Sequence, residues 1–224
     1  MNPSSFTKVR TKLNEFTFRL LVRTKARSDL VRLGSPYGGF WVPMDELTQS
    51  HGEVAYSAGV GEDISFDEAL VRDFNLNVWC FDPTPRSIAH MTGRINHRLH
   101  FEPIGLWSST TELRFYAPVD PAHVSHSAHN IQGTTDYFVA RCETVDLIMS
   151  RHGHNHIKLL KMNIEGAESE VIRSLADTNL RPSVLIIAFE ARKTSTNLRQ
   201  VSIVKSLGYQ AVKTAGHTVT FVTD

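Results

Sequence analysis

Short apolar runs alternate with amphipathic stretches along most of this chain. VAYSA, at Val54–Ala58, is an apolar run closed by glycines. It precedes a stretch in which Ala69, Leu70 and Phe74 keep a helical period. Ser65-Phe66-Asp67-Glu68 has the form of a capping box at the start of that helix. Val78–Phe81 predicts a second buried strand, Leu99–Gly105 a third and Ile157–Ile164 a fourth. GAESEVIRSLA then predicts a helix with Val171, Ile172 and Leu175 on one face. VLIIAF, at Val184–Phe189, is nearly all apolar, as a strand in the middle of a parallel sheet is. A helix over Asn197–Leu207 is stopped by Gly208. Tyr209–Lys213 and Val219–Val222 are spaced to pair as a hairpin across Thr214–His217.

Helices near 44–51 and Val145–His152 complete an order of five β–α steps and a hairpin. That order predicts an α/β, Rossmann-like fold: a mostly parallel seven-stranded sheet, helices on both faces, one antiparallel strand. Residues 107–140 interrupt the alternation. ELRFYA reads as an extra strand, and the polar stretch that follows as a long loop, a length more often functional than idle. The expected division is a basic helical segment over 1–36 and one α/β domain over 37–224. In the first segment Leu13, Phe16 and Leu20, with Val31, are expected to pack inward.

Composition narrows the class. Apolar residues make up 41% and charged residues 21%, as in an ordinary folded core. No apolar run reaches the ~20 residues a membrane span needs, so stable membrane insertion is not expected. Cys80 and Cys142 are too few for a disulfide framework, and a cytoplasmic location is the expectation. Net charge is +1, but Lys8, Arg10, Lys12, Arg19, Arg23, Lys25, Arg27 and Arg32 crowd the first segment. A solvated helix explains that charge. No aromatic RNA-binding motif accompanies it, so a nucleic-acid partner is not expected. The exposed aromatic loop at 33–43 and the basic helix leave room for a homodimer.

In open parallel sheets ligands bind beyond the carboxyl ends of the strands. The residues placed there are Gly59–Asp63, Asp82, Gly105–Trp107, Asn163–Glu168 and Ala188–Arg192. Gly59-Val60-Gly61 resembles a dinucleotide turn, and Asp82 has the spacing of a ribose-binding acid. The third glycine is absent, however, and Glu62 and Asp63 occupy the place of the phosphates. Acids there repel a pyrophosphate and tolerate a ligand bearing an amine and a sulfonium. S-adenosyl-L-methionine has both, together with a ribose. The alternative is that Glu62 and Asp63 only complement the helix dipole.

YSAGVGEDISFDEAL, FDPTP, AHVSHS and above all LLKMNIEGAESEVI resemble the FkbM-type S-adenosylmethionine-dependent methyltransferases. The resemblance runs from about Gly38 to Val222. It implies a class I methyltransferase fold and O-methylation of a hydroxyl on a sugar, glycan or other small molecule. It further implies that Gly59 and Gly61 cradle the methionine part and Asp82 holds the ribose. Gly105 and Leu106 would lie near the adenine, and Asn163 beside the transferred methyl. Two positions depart from the family pattern: Asn163 replaces an aspartate, and Ala188 stands where a glutamate is expected, with Glu190 two residues on. Fewer anionic ligands argue against a required metal. The departures also keep open an alternative, a weakened S-adenosylmethionine-binding protein that acts through partners.

Removal of a hydroxyl proton calls for a base. His126, in VSHS, is the first candidate and Glu165 the second, with Asn163 beside them. His123 and His129 share the loop with His126. His152, His154 and His156 have no helical ligand spacing and precede the fourth strand, so they are not expected to bind zinc.

Overall fold

The apolar runs form a seven-stranded sheet in the computed structural model, which describes residues 14–48, 50, 52–119, 126–130, 133–190 and 193–223. The first element among the described residues is helix α1 over 14–21. A small hairpin follows, β1 (Leu30–Leu33) and β2 (Phe40–Pro43), then α2 (Met44–Leu47). The first half of the main unit is β3 (Val54–Ala58), α3 (Ser65–Phe74), β4 (Asn77–Phe81), α4 (Pro85–Met91) and β5 (Leu99–Glu102). Three strands come next: β6 (Gly105–Leu106), β7 (Thr111–Tyr116) and β8 (Tyr137–Glu143). The second half is α5 (Val145–His152), β9 (Leu159–Met162), α6 (Glu168–Asp177), β10 (Val184–Ala188), α7 (Thr194–Ser206), β11 (Tyr209–Ala215) and β12 (Thr218–Thr223).

The large sheet has the order β11-β12-β10-β9-β3-β4-β5. β12 runs antiparallel to both of its neighbours, and the other pairings are parallel. The chain works outward from β3 to β5, then returns to β9 on the other side of β3. The carboxyl ends of β3 and β9 therefore flank the point where the winding reverses, the place such sheets keep for ligands.

Alternate side chains of the central strands enter two cores. Tyr56, Leu160, Met162, Leu185 and Ile187 join the core that contains Ile148, Val171 and Val204. Ala55, Val78, Cys80, Leu159, Val184 and Ile186 join the core that contains Phe66 and Leu70. Both faces are covered, which is why these strands read as continuous apolar runs. Cys80 and Cys142 are buried free thiols. No helix among the described residues is long and apolar enough to cross a membrane.

Several expectations need correction. Ser65 does not cap α3: its hydroxyl accepts the Ser35 N–H at 2.7 Å, and Asp63 accepts the Ser65 N–H instead. The first segment is helical only over 14–21 among its described residues, and β1 is a strand paired with β2 across residues 34–39. On α1 the buried residue is Phe18, with Val22 just beyond the helix, while Phe16 and Leu20 are exposed. A shift of two positions turns a helix by about 200°, so a pattern as apolar as FTFRLLV presents either face equally well. Leu13 lies outside the described residues. The run Leu99–Gly105 is split after Glu102, where Pro103 offers no N–H to a ladder, and Gly105–Leu106 pairs with β8 instead. β8 itself falls where a loop ended in the sequence reading. It pairs with β7 from Thr111↔Cys142 to Tyr116↔Tyr137, so the long polar stretch is the connection of a hairpin.

Candidate functional site

One cavity of about 500 Å³ lies over the carboxyl ends of the strands, within the size range of small-molecule sites. Its wall includes Gly59, Gly61, Glu62, Asp63, Asp82, Gly105, Leu106, His126, Asn163 and Glu165. Segments far apart in sequence thus meet around a single space. Trp107 and His129 are not part of this wall; their rings lie 5.8 Å apart beside it. His123 falls outside the described residues.

The floor is set by the turn after β3. Gly59 has φ +73°, and a Cβ there would lie 1.8 Å from the Asn163 carbonyl oxygen. Only glycine lets β3 and β9 end so close together. Gly61 has φ +59° and open space where a Cβ would stand, and its N–H donates to Asp82 Oδ2 at 3.0 Å. Asp82 is 4% exposed, and its Oδ1 accepts from Thr84 N and Thr84 Oγ1 at 2.9 and 2.6 Å. A carboxylate accepts about four hydrogen bonds, which leaves capacity for a ligand hydroxyl. Thr84 also caps α4, with Pro85 in its first turn, so FDPTP is the residue set that fixes this acid.

Lys161 reaches up from β9 beneath the turn. Its Nζ donates to the carbonyls of Ala58 and Gly59 at 3.2 and 2.7 Å. Burial lowers its pKa, and the buried Asp67 works against that shift. The sequence reading passed over Lys161, although it stands inside the LLK motif.

Glu62 and Asp63 are already engaged by the protein. Glu62 pairs with Arg86 at 2.5 Å. Asp63 accepts from Ser35 Oγ at 2.5 Å and from Ser65 N at 3.0 Å. Burial opposes its charge, but these bonds and one from the Gly38 backbone outweigh it and hold its carboxyl below the ordinary value. Asp63 therefore fastens the β1–β2 turn over the cavity as well as bordering it. Glu62 occupies Arg86, so the turn offers no unpaired cation to a pyrophosphate.

Beyond Asn163 the wall turns acidic. Glu165 has φ +52°, and its backbone carbonyl accepts Ser127 Oγ at 2.6 Å. Ser127 also exchanges backbone hydrogen bonds with Tyr116, which ties the loop carrying His126 to both β7 and the end of β9. The His126 ring packs edge-on against Phe138, with centroids 5.1 Å apart. Glu190, just past β10, shares the cavity with Ala188. Its surface is solvent-exposed, yet the protein around it and the neighbouring Glu165 push its carboxyl up to about 7. Glu168, buried at the start of α6, is also pushed up to about 7, first by burial. The sequence reading noted Glu190 only as a departure; its place two residues past Ala188 was the signal.

Arg32, Tyr37, Trp41, Lys213, Thr218 and Thr220 also line the cavity, and Thr218 is the ladder partner of Ala188. His152 and His154 lie elsewhere, packed on Trp79, and His156 contacts Ser183. Among the described residues no group of three or more His, Cys, Asp or Glu is arranged to hold a metal ion.

Residues 49–211 match the family model described as the Methyltransferase FkbM domain, which covers most of the chain. No curated protein matches it.

Proposed function

The chain belongs to the FkbM methyltransferase family, and from that premise we propose that it methylates a hydroxyl of a small molecule or glycan with S-adenosyl-L-methionine as donor. The observation that carries this reading is the convergence of Gly59, Gly61, Asp82 and Asn163 with Glu165 and Glu190 on one cavity at the switch point. The residues fit the donor. Asp82 keeps acceptor capacity for a ribose, Gly61 leaves room beside it, and no unpaired cation waits for a phosphate at the turn.

When bound, the donor supplies a methyl group on a sulfonium. The chain's part is alignment and proton removal. Asp82 would receive the ribose hydroxyls, and Gly105 and Leu106 would border the base. The Asn163 amide orients the acceptor hydroxyl. The acceptor hydroxyl would give up its proton to the Glu165–Glu190 pair as it takes the methyl group. His126 borders the same cavity from the loop side and stays the alternative base. Two carboxylates remain at the cavity despite Asn163 and Ala188, which favours turnover over mere binding of the donor.

Calorimetric titration with S-adenosylmethionine and S-adenosylhomocysteine tests the reading. Both should bind, and Asp82→Ala should weaken them about 10-fold or more through loss of charge-assisted hydrogen bonds. Unchanged affinity in that variant, or no binding by the wild type, would sink it.

A further inference from the structure

Arg32, Trp41 and Lys213 form a cationic wall that neither the donor nor the reacting hydroxyl uses. Arg32 and Trp41 are direct partners on the β1–β2 ladder, and Lys213 Nζ lies 4.1 Å from the centre of the Trp41 ring. All three border the cavity. Their charges have no acidic counterpart. Arg27, Arg72, Arg86, Arg141, Arg151 and Arg173 each pair with a carboxylate, whereas among the described residues no carboxylate pairs with Arg32 or Lys213. Arg32 commits Nη2 to the carbonyls of Pro36 and Gly39, at 2.9 and 3.2 Å. Its Nε and Nη1 donors have no protein partner among the described residues.

This wall is held in place. Thr220 Oγ1 donates to the Trp41 carbonyl at 2.8 Å, which fastens β2 to β12. Ser35 fastens the turn to Asp63, as described above. A Cβ on Gly38 would lie 2.5 Å from the Asp63 carboxyl carbon, and one on Gly39 would lie 2.4 Å from the Leu33 carbonyl oxygen. The turn is therefore packed tightly at its base, while Tyr37 at its tip is 89% exposed at the cavity mouth. A supported hairpin that carries Arg32, Tyr37 and Trp41, with Lys213 of β11 laid on the Trp41 ring, is a recognition surface beside the cavity. The same cavity is lined by Glu165 and Glu190, so it presents acids as well as these two cations.

We propose that the acceptor carries an anionic group, a carboxylate or a phosphate, held by Arg32 and Lys213 against Trp41. Its hydroxyl then points to Glu165 and Glu190. This rests on the reading of the cavity as a methyl-transfer site. The acids repel the anionic group from the reacting end, so the charge pattern fixes which way round the acceptor enters. The planar guanidinium suits either oxyanion, and Lys213 adds a second charge. Trp41 and Tyr37 offer ring faces to a sugar or aryl body.

The chain has three tryptophans, so the indole N–H signals in a nitrogen–proton spectrum are few, and Trp41→Phe assigns the one that matters. The probes are glucuronate, glucose 6-phosphate and 4-hydroxybenzoate, with glucose and 4-hydroxybenzyl alcohol as neutral counterparts. The anionic probes should shift the Trp41 signal and bind about 10-fold or more tightly than their counterparts. Arg32→Gln with Lys213→Gln should abolish that preference, Lys213→Arg should keep it, and added salt should weaken it. Glucuronate against glucose 6-phosphate separates carboxylate from phosphate. Neutral and anionic probes binding alike, an undiminished preference in the double variant, or no Trp41 shift with any anionic probe would each overturn the proposal. S-adenosylhomocysteine binding, measured separately, reports on folding of the variants; its failure in the wild type strikes the methyl-transfer reading instead.

Discussion

Gly59 and Asn163 hold the two halves of the sheet together at the site: a Cβ on Gly59 would meet the Asn163 carbonyl oxygen at 1.8 Å. Gly61, two residues on, has a similar positive φ but no atom within 4 Å of its would-be Cβ. The two glycines should therefore respond differently to alanine. Gly61→Ala carries only the left-handed backbone cost, about 1–2 kcal/mol. Gly59→Ala adds a clash with backbone and must push β3 away from β9. Thermal melts should show the larger loss for Gly59→Ala. Calorimetry should show weakened S-adenosylhomocysteine binding in both, since the Gly61 methyl enters the cavity. Equal losses of stability would mean that the close approach does not decide the first case.

The bond from Ser127 Oγ to the Glu165 carbonyl joins the loop to the acidic wall. Ser127→Ala removes it without disturbing the backbone exchange with Tyr116. The expected cost in stability is about 1 kcal/mol. Turnover with any acceptor should fall further than donor affinity, because the bond orders Glu165 and His126 rather than the floor of the cavity. Equal falls in both would place the loop on the donor side.

Much of this was legible from sequence because the central strands are buried on two faces. LLKM and VLIIA admit few readings, and a ligand position follows once the parallel order is known. The acid of FDPTP was legible too, from its spacing to Gly59, but the helix that Thr84 and Pro85 start was not read. The cationic wall was not. Arg32 and Lys213 are far apart in sequence, and only the pairing of β1 with β2 and the bond from Thr220 to Trp41 bring them together. β8 was missed for a different reason. Its inward set, Phe138, Ala140 and Cys142, is weakly apolar, and the polar stretch before it masks the alternation. Glu62 and Asp63 border the cavity, but a sequence does not show that Arg86 and Ser35 already hold them.

Trp79 is packed by His100 and His152, with ring centroids at 4.3 and 3.9 Å, and by His154 at 5.4 Å. Burial, then repulsion from neighbouring histidines, lowers the pKa of His100 and of His154. The unfolded chain takes up these protons near the ordinary value of about 6.5, before the folded chain does, so acid favours unfolding. The stabilisation they contribute is complete above about 6.5 and is lost as pH falls through their lowered values. Melts between pH 7.5 and 5 should show this loss, and His100→Asn should reduce it. Trp79 emission should change over the same interval. Glu168 acts in the opposite sense over this interval, so the comparison is made in the Glu168→Gln background; a melting temperature there that falls equally with and without His100→Asn would contradict the assignment.

Glu190 and Glu168 make opposite demands on pH, and two variants separate them. If the Glu165–Glu190 pair accepts the hydroxyl proton, turnover should rise about tenfold per pH unit below the Glu190 value of about 7 and level off above it. Glu190→Gln should remove that limb along with most of the rate. Glu168 has a folded value of about 7 because it is buried, well above its unfolded value. Its contribution to stability is therefore complete below about pH 4.3 and is lost as pH rises through about 7, where a charge is forced into the start of α6. Glu168→Gln keeps an oxygen for the Gly166 N–H, which now donates to Glu168 at 3.2 Å, and cannot ionise. It should raise the melting temperature at pH 8, where the wild type carries the buried charge, and leave it nearly unchanged at pH 5. The rate limb near 7 should persist in Glu168→Gln. Its disappearance there, with Glu190→Gln still titrating, would transfer the proton-accepting role from the cavity wall to the buried acid.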